Sequence, residues 1–150
     1  MPRIERVAEA VWEGRVATGS GTIAGRSSGA FDLTYSEPTR VGDPTGQTSP
    51  EELIAAAHAG CFAMSLAAEI SKLHVEPRRV SVEATCVMDE VEGKGHQIVH
   101  STIDASARAA GIDAAGFADA ARVADEECPF SALIRASAGV TVNAELEGGA

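Results

Sequence analysis

The chain has 150 residues, enough for one domain whose core needs no disulfide or metal to stabilise it. It carries 22 acidic residues against 12 Lys and Arg, a formal net charge of −10. Nucleic acid and anionic membranes are bound through an excess of Lys and Arg, so we expect neither as a partner. Three cysteines are too few, and odd in number, for a secreted disulfide scaffold. We therefore expect a single domain over residues 1–150.

The first third of the chain predicts β structure. Short β-branched or apolar runs alternate with glycines as far as a turn at residues 27–29, and a third run covers residues 30–35. Two or three antiparallel strands joined by tight turns are the simplest interpretation. Residues 37–47 contain two prolines and two glycines and show no period, so they predict a loop, which holds the cation Arg40.

A long helix is predicted from about residue 50 to Leu73. A hydroxyl residue at the N-cap, Pro50 at the first helical position and two glutamates after it are typical of a helix start. Residues 53–68 carry no formal charge and are apolar nearly all round, which predicts that a sheet or a second chain covers most faces of the helix. This run is shorter than the roughly 20 residues that span a bilayer, so we expect a buried core helix.

The second half of the chain predicts a long hairpin, two helices and a final strand. Residues 80–88 and 98–107 alternate as strands do, with Cys86 in phase with the apolar positions. A helix is expected from residues 111–113 to about 127, with an apolar stripe at helical spacing: Phe117, Ala120, Ala121 and Ala124. Residues 128–131 interrupt it, a short helix restarts as far as Arg135, and a strand follows over 140–146. The order β-β-β-α-β-β-α-α-β predicts an α+β domain with a mostly antiparallel sheet.

Cys61 lies in the middle of the apolar helix, in the sequence HAGCF. Free cysteine is among the most buried residue types, so a role in the core is one interpretation. A nucleophilic role requires a cation that lowers the thiol pKa, because the thiolate is the reactive form. Arg40, in the segment that leads into the helix, is the best candidate for that cation.

Cys128 precedes Pro129 at a predicted helix start, where free backbone N–H groups favour a thiolate, although Glu126 and Glu127 oppose that field. It is either a packing residue at the helix break or a moderately reactive thiol. Together with Cys61 it is consistent with a peroxidatic and resolving pair. Cys86 is then left as a residue of the core strand.

A metal site is a competing use of the same side chains. His58 and Cys61 share a helical face, and Cys128 could add a third ligand. The chain has no CxxC doublet, and a structural zinc site requires four ligands. We expect no metal, and we interpret His58 as a hydrogen-bonded core or pocket residue. The charged N-terminus has no apolar leader, so we expect a cytoplasmic protein.

Several segments resemble the osmotically inducible protein C and organic hydroperoxide resistance family (OsmC/Ohr). They are SPEELIAAAHAGCF at 49–62, CPFS at 128–131, Trp12-Glu13-Gly14 with Gly19 and Gly21, and Arg40 before the helix. His58, where the Ohr branch usually has tyrosine, points to the OsmC branch. The resemblance implies an OsmC-like fold, with mostly antiparallel sheets wrapped around a long central helix in an intertwined homodimer.

The resemblance also implies a thiol-dependent peroxidase that needs no cofactor. Cys61 matches the peroxidatic cysteine, Cys128 the resolving cysteine, and Arg40 and Glu51 the pair that activates the thiolate, with Glu51 orienting Arg40. Organic hydroperoxides are the implied substrates, with hydrogen peroxide as a further candidate. A Cys61 sulfenic acid would condense with Cys128 to a disulfide, which a lipoyl-type or similar dithiol would reduce.

Glu51 and Cys61 are separated by ten positions on one predicted helix, about 15 Å along its axis. One arginine cannot easily reach both, so our hypothesis is that each site combines Cys61 of one chain with Glu51, and Arg40, of the other. The alternative function is a non-catalytic small-molecule or lipid-binding module on the same fold. A binding pocket needs neither the two cysteines nor Arg40, and their presence together favours the enzyme.

Overall fold

The computed structural model describes residues 2–148 and divides the chain into two compact units, Met1–Pro50 and Glu51–Ala150. The single-domain organisation over 1–150 stays a prediction. The elements in chain order are β1 (Ala8–Glu13), β2 (Ser20–Gly25), β3 (Asp32–Tyr35), α1 (Glu37–Val41), α2 (Pro50–Lys72), β4 (Pro77–Val91), β5 (Gly95–Ala109), α3 (Ala114–Glu127), α4 (Pro129–Arg135) and β6 (Gly139–Leu146). The α+β prediction is confirmed, with three strands in each of two sheets.

The first unit contains an antiparallel sheet in the order β1-β2-β3, as predicted. Gly21 on the central strand pairs with Trp12 on one side and with Tyr35 on the other. The two rings approach each other with their centroids 5.3 Å apart and tilted by 57°. A Cβ on Gly21 would lie 2.4 Å from the Val11 carbonyl oxygen and 2.6 Å from the Tyr35 ring, so this ring pair requires glycine beneath it.

The prediction that residues 37–47 are entirely a loop is wrong, because Glu37–Val41 form the short helix α1. Ser36 caps the helix: its side chain accepts a hydrogen bond from the Thr39 N–H at 3.4 Å, and a proline stands in the first turn. Five residues are too few to show a helical period in the sequence. Arg40 lies in the last turn of α1.

Helix α2 runs from Pro50 to Lys72, close to the predicted range. Its buried residues recur at every fourth position and form a single stripe: His58, Phe62, Leu66 and Ile70. The opposite face is exposed in the single chain and consists of small or apolar residues at the same spacing: Ala56, Gly60, Met64 and Ala68. The single chain therefore leaves one apolar face of the helix uncovered. The helix is also long and apolar enough to span a membrane, which is weak evidence because core helices of soluble proteins share these properties.

The second sheet has the order β4-β5-β6, and its hairpin strands of 15 residues each extend beyond the predicted ranges. β4 and β5 pair antiparallel, whereas β6 lies parallel to β5. The inward positions of β5 alternate regularly and are Ser101, Ile103, Ala105 and Ala107. Ile103, Ala105 and Ala107 form one apolar core with the buried residues of α3 and with those of α2 that follow His58. Ser101, the first of the inward positions, is polar and is not part of this core.

Helix α3 begins after Asp113, whose side chain caps it by accepting a hydrogen bond from the Gly116 N–H at 2.7 Å. Its predicted apolar stripe is confirmed as buried: Phe117, Ala120, Ala121 and Ala124. Proline at 129 then begins α4, and Cys128 lies between the two helices. The helix interruption predicted at this position therefore places a cysteine against the core.

Replacement of glycine by alanine is expected to change the free energy of unfolding in opposite directions at two positions, Gly60 and Gly21. In the isolated monomer, where Gly60 lies in open space on a helix, Gly60→Ala should raise it by about 0.5–1 kcal/mol, because alanine loses less backbone entropy on folding. Gly21→Ala should lower it by about 1–3 kcal/mol, because the new methyl group overlaps backbone and ring atoms. Urea unfolding of both variants checks the pair, and a loss of stability at Gly60 would contradict it.

Candidate active site

The structure brings together two of the cysteines, Cys61 of α2 and Cys128 at the junction of α3 and α4. Their thiols are close enough for Cys128 to influence the pKa of Cys61. Cys61 is half-buried, whereas Cys128 is completely buried. A solute that enters from the surface therefore meets Cys61 first, with Cys128 behind it.

The surroundings of Cys61 within the second unit favour the thiol over the thiolate. Burial is the largest influence and raises the Cys61 pKa above its usual value, and the neighbouring Cys128 raises it further. The backbone N–H of Phe130, in the first turn of α4, and the side chain of Ser65, one helical turn after Cys61, lower the pKa. These two donors assist a thiolate but do not outweigh the burial. A nucleophilic Cys61 therefore needs a cation.

The residues expected to supply and orient that cation lie in different units. Arg40 belongs to the first unit, and Glu51 begins the second. Glu51 and Cys61 are on one unbroken helix, α2, so the expected separation of about 15 Å along the axis applies. Within its own chain, Glu51 acts electrostatically on Cys86 of β4.

Cys86 is half-buried and in phase with the inward residues of β4, as its position in the alternating run predicted. Burial raises the pKa of its thiol, and the negative charge of Glu51 raises it further. Both effects keep Cys86 protonated and therefore a poor nucleophile.

His58 is completely buried and hydrogen-bonded on both sides of its ring. Nδ1 lies 2.8 Å from the hydroxyl oxygen of Ser101 on β5, and Nε2 lies 2.8 Å from that of Ser131 on α4. Burial lowers the His58 pKa below its ordinary value of 6.5; Arg135 lowers it further, and Asp125 raises it. The interpretation of His58 as a hydrogen-bonded core residue is confirmed. A neutral imidazole suits both contacts, since one ring nitrogen donates and the other accepts.

An ion pair crosses the junction that holds Cys128, between Asp125 of α3 and Arg135 of α4. Asp125 contacts Arg135 through Oδ2, whereas its Oδ1 is buried without a hydrogen-bond partner in the part of the chain that the structure describes. Because the pair spans the helix break, it restrains the angle between α3 and α4.

Four groups at this site were not predicted from the sequence. Ser65 and the Phe130 N–H act on Cys61, and Ser101 and Ser131 bind His58. Ser101 could have been identified from the sequence, because it is a polar residue at an inward position of an alternating strand. Ser131 belongs to the CPFS segment, but its partner is distant in the sequence, and only the packing of α2 against α4 identifies it.

An apolar pocket of about 390 Å³ is lined by residues of α2 and α4 that are close to the two cysteines in the sequence, although neither cysteine lines it. Ala57, one turn before Cys61, and Phe130, two residues after Cys128, both line it. The other lining residues come from α2, α4 and neighbouring segments: Leu53, Ile54, Ile98, Leu133, Ile134, Ser137 and Ala138. The pocket suits the hydrocarbon part of a small molecule, because apolar walls are typical of ligand sites of this size.

Known proteins resemble the chain over nearly its whole length. The family model described as OsmC-like protein matches residues 42–143. Peroxiredoxin OsmC of Escherichia coli (strain K12) is 31% identical over 144 residues, which are 96% of this chain and 98% of that protein.

Solved structures show the same fold. The organic hydroperoxide resistance protein OsmC from Legionella pneumophila superposes with a TM-score of 0.75 at 22% identity, covering 97% of this chain and 99% of that chain. The organic hydroperoxide resistance protein OhrB of Bacillus subtilis gives a TM-score of 0.68 at 22% identity, over 93% and 98% of the two chains. The expected α+β fold is thereby confirmed.

The buried His58 predicts a pH dependence of stability. Its folded-state pKa lies below the ordinary 6.5, so below about pH 6.5 the unfolded chain binds a proton that the folded chain rejects. The free energy of unfolding then falls as the pH falls toward the folded-state pKa, by at most about 1.4 kcal/mol per pH unit. His58→Gln should lack this contribution in urea unfolding between pH 7.5 and 5. Parallel losses in both proteins would contradict the assignment to His58.

Proposed function

The chain belongs to the OsmC family, and we propose that it is a thiol-dependent peroxidase of the OsmC branch, acting on organic hydroperoxides in the cytoplasm. The printed names of its relatives, a peroxiredoxin and organic hydroperoxide resistance proteins, support a peroxidase role in general. Hydrogen peroxide is proposed as a further substrate. We also propose that the chain's own residues carry out catalysis without a cofactor.

The observation that carries the proposal is the contact between a half-buried Cys61 and a completely buried Cys128. Cys61 is the more accessible sulfur, which supports its proposed role as the peroxidatic residue and that of Cys128 as the resolving one. The second thiol is already in place to react with the oxidised first one. Proximity of this kind accelerates a reaction by removing the entropy cost of bringing the groups together.

The proposed cycle has three steps. The Cys61 thiolate attacks the outer peroxide oxygen, the O–O bond breaks, and the alkoxide leaves with a proton as an alcohol, so Cys61 becomes a sulfenic acid. The Cys128 sulfur then attacks the Cys61 sulfur, which forms the disulfide and releases water. An external dithiol, of the lipoyl type or similar, reduces the disulfide by exchange and is itself oxidised.

Thiolate activation is proposed for Arg40, oriented by Glu51. Burial raises the Cys61 pKa, and the Phe130 N–H and Ser65 do not compensate, so a guanidinium is the chemistry that the site still requires. A guanidinium also donates to the peroxide oxygens in a fixed geometry, and a carboxylate such as that of Glu51 can hold it through two parallel hydrogen bonds.

The apolar pocket that Ala57 and Phe130 line supports the proposed substrate class. Its walls are almost entirely apolar, and its volume of about 390 Å³ exceeds the space that hydrogen peroxide requires. An alkyl or aryl hydroperoxide would bury its hydrocarbon part there, and burial is favourable by about 25 cal/mol per Å² of apolar surface. The same pocket is what favours the alternative function, a small-molecule or lipid-binding module without catalysis.

We propose that the active form is a homodimer with shared sites. The exposed stripe of α2 is apolar, and Met64 at its centre is 77% exposed in the single chain. A second copy that covers this stripe would remove apolar surface from water. The ten positions between Glu51 and Cys61 on one helix support a site that takes Glu51 and Arg40 from the partner subunit.

Peroxide consumption distinguishes the enzyme from the binding module. Purified, reduced protein should consume tert-butyl hydroperoxide in the presence of dithiothreitol, and Cys61→Ser should reduce the rate to that of the uncatalysed reaction, because it removes the nucleophile. Cys86→Ser is the matched control and should stay close to wild type. No turnover by the wild-type protein would reject the peroxidase and favour the binding module.

Mixed dimers test the shared site. Cys61→Ser and Glu51→Ala subunits are each expected to be inactive alone, whereas a mixed dimer would contain one intact site, with Cys61 and Glu51 from different subunits. After equal mixing with free exchange, about a quarter of wild-type activity should return. If both parents fold and dimerise but the mixture stays inactive, the shared arrangement is wrong.

A further inference from the structure

His58 and Cys61 of α2 face Ser131 of α4 and Cys128 at its N-cap, and the four residues form two neighbouring contacts. His58 lies three residues before Cys61, and Ser131 lies three residues after Cys128. His58 contacts Ser131, and Cys61 contacts Cys128. This pairing order is that of two antiparallel segments. Residues three apart share a helix face, so the two contacts are neighbours about one turn apart.

We propose that His58 is a positioning residue for disulfide formation, acting through Ser131 to fix Cys128 against Cys61. The inference rests on the proposed function and concerns its second step. In that step the Cys128 sulfur forms a bond to the Cys61 sulfur, the S–O bond of the sulfenic acid breaks, and hydroxide leaves with the Cys128 proton as water. Cys128 is oxidised and the sulfenic sulfur is reduced. No other reactant is needed.

The position of Cys128 depends on this contact because the residue lies in a break between two helices. Pro129 cannot donate a backbone hydrogen bond, and Cys128 has no side-chain cap hydrogen bond of its own. The short helix α4 is held to α3 by the pair Asp125–Arg135 and to α2 by His58. The hydrogen bond of Ser131 lies one turn from the reacting sulfur. Loss of this bond would allow Cys128 to move relative to Cys61.

The imidazole has a second hydrogen bond of the same length, which provides a matched control. Ser101 and Ser131 are both completely buried, and each hydroxyl lies 2.8 Å from a ring nitrogen of His58. Ser101 belongs to β5, whereas Ser131 belongs to the helix that follows Cys128. Ser131→Ala and Ser101→Ala thus each remove one hydrogen bond to the same ring, but only Ser131→Ala removes the link between His58 and α4.

The experiment measures both oxidation steps in single turnover with tert-butyl hydroperoxide and no reductant. Dimedone traps the Cys61 sulfenic acid, and mass spectrometry quantifies it against the Cys61–Cys128 disulfide. Ser131→Ala should form sulfenic acid at the wild-type rate but close the disulfide about tenfold to a hundredfold more slowly, as expected for a small displacement of reacting groups. Ser101→Ala should close within about threefold of wild type.

Two variants of the histidine itself keep the test valid if a serine variant fails to fold. A Gln side chain can place its amide near the position of Nε2, facing Ser131, whereas the shorter Asn places its amide near Nδ1, facing Ser101. His58→Gln should therefore retain disulfide closure, and His58→Asn should lose it.

Three outcomes overturn the inference. Equal closure rates in wild type and Ser131→Ala would show that the contact does not position Cys128. Equal slowing by Ser101→Ala and Ser131→Ala would show that general core packing, not the tie to α4, is responsible. If wild-type Cys61 forms neither sulfenic acid nor disulfide with peroxide, the proposed function itself fails, a result distinct from the other two.

Discussion

The packing of α4 against α2 is the constraint on which the candidate site depends. It brings Cys128 to Cys61 and Ser131 to His58, although about 70 residues separate the partners in each pair. Two features of the chain make it possible. Proline after Cys128 breaks the helical run, so that α4 can turn relative to α3, and the buried stripe of α2 provides the surface that the break meets. A continuous helix through residue 128 would direct these side chains elsewhere.

The same packing creates an electrostatic cost that the chemistry has to offset. A sulfur in contact with the core is poorly solvated, so burial favours the neutral thiol of Cys61 over the thiolate. In a chain with a net charge of −10, few groups can reverse this preference. The N–H of Phe130 and the side chain of Ser65 act locally and in the right direction. A guanidinium would stabilise the Cys61 thiolate more strongly, which is why Arg40 is the most important cation in the proposed mechanism.

Secondary-structure elements were predicted correctly wherever the local residue pattern and the burial agree. The alternation of β5 and the stripe of α3 were predicted because strand and helix periods are read directly from neighbouring residues. The prediction for residues 37–47 was wrong, since α1 is too short to show a period and its cap, Ser36, lies just before this range. The two hairpin strands are longer than predicted because cross-strand pairing extends them into polar ends that carry no apolar signal.

The sequence by itself determined the fold class, the membership of the OsmC family and the two cysteines on which a redox cycle would depend. Residue periodicity and short motifs are sufficient to identify these features. Only the tertiary structure decided which groups surround the two cysteines. It buried Cys128 completely, bonded His58 to two serines, and formed an apolar pocket from residues of α2 and α4. The physical reason is that burial and hydrogen-bond partners depend on residues far apart in the chain. No local pattern records which distant hydroxyl group will lie 2.8 Å from a buried imidazole.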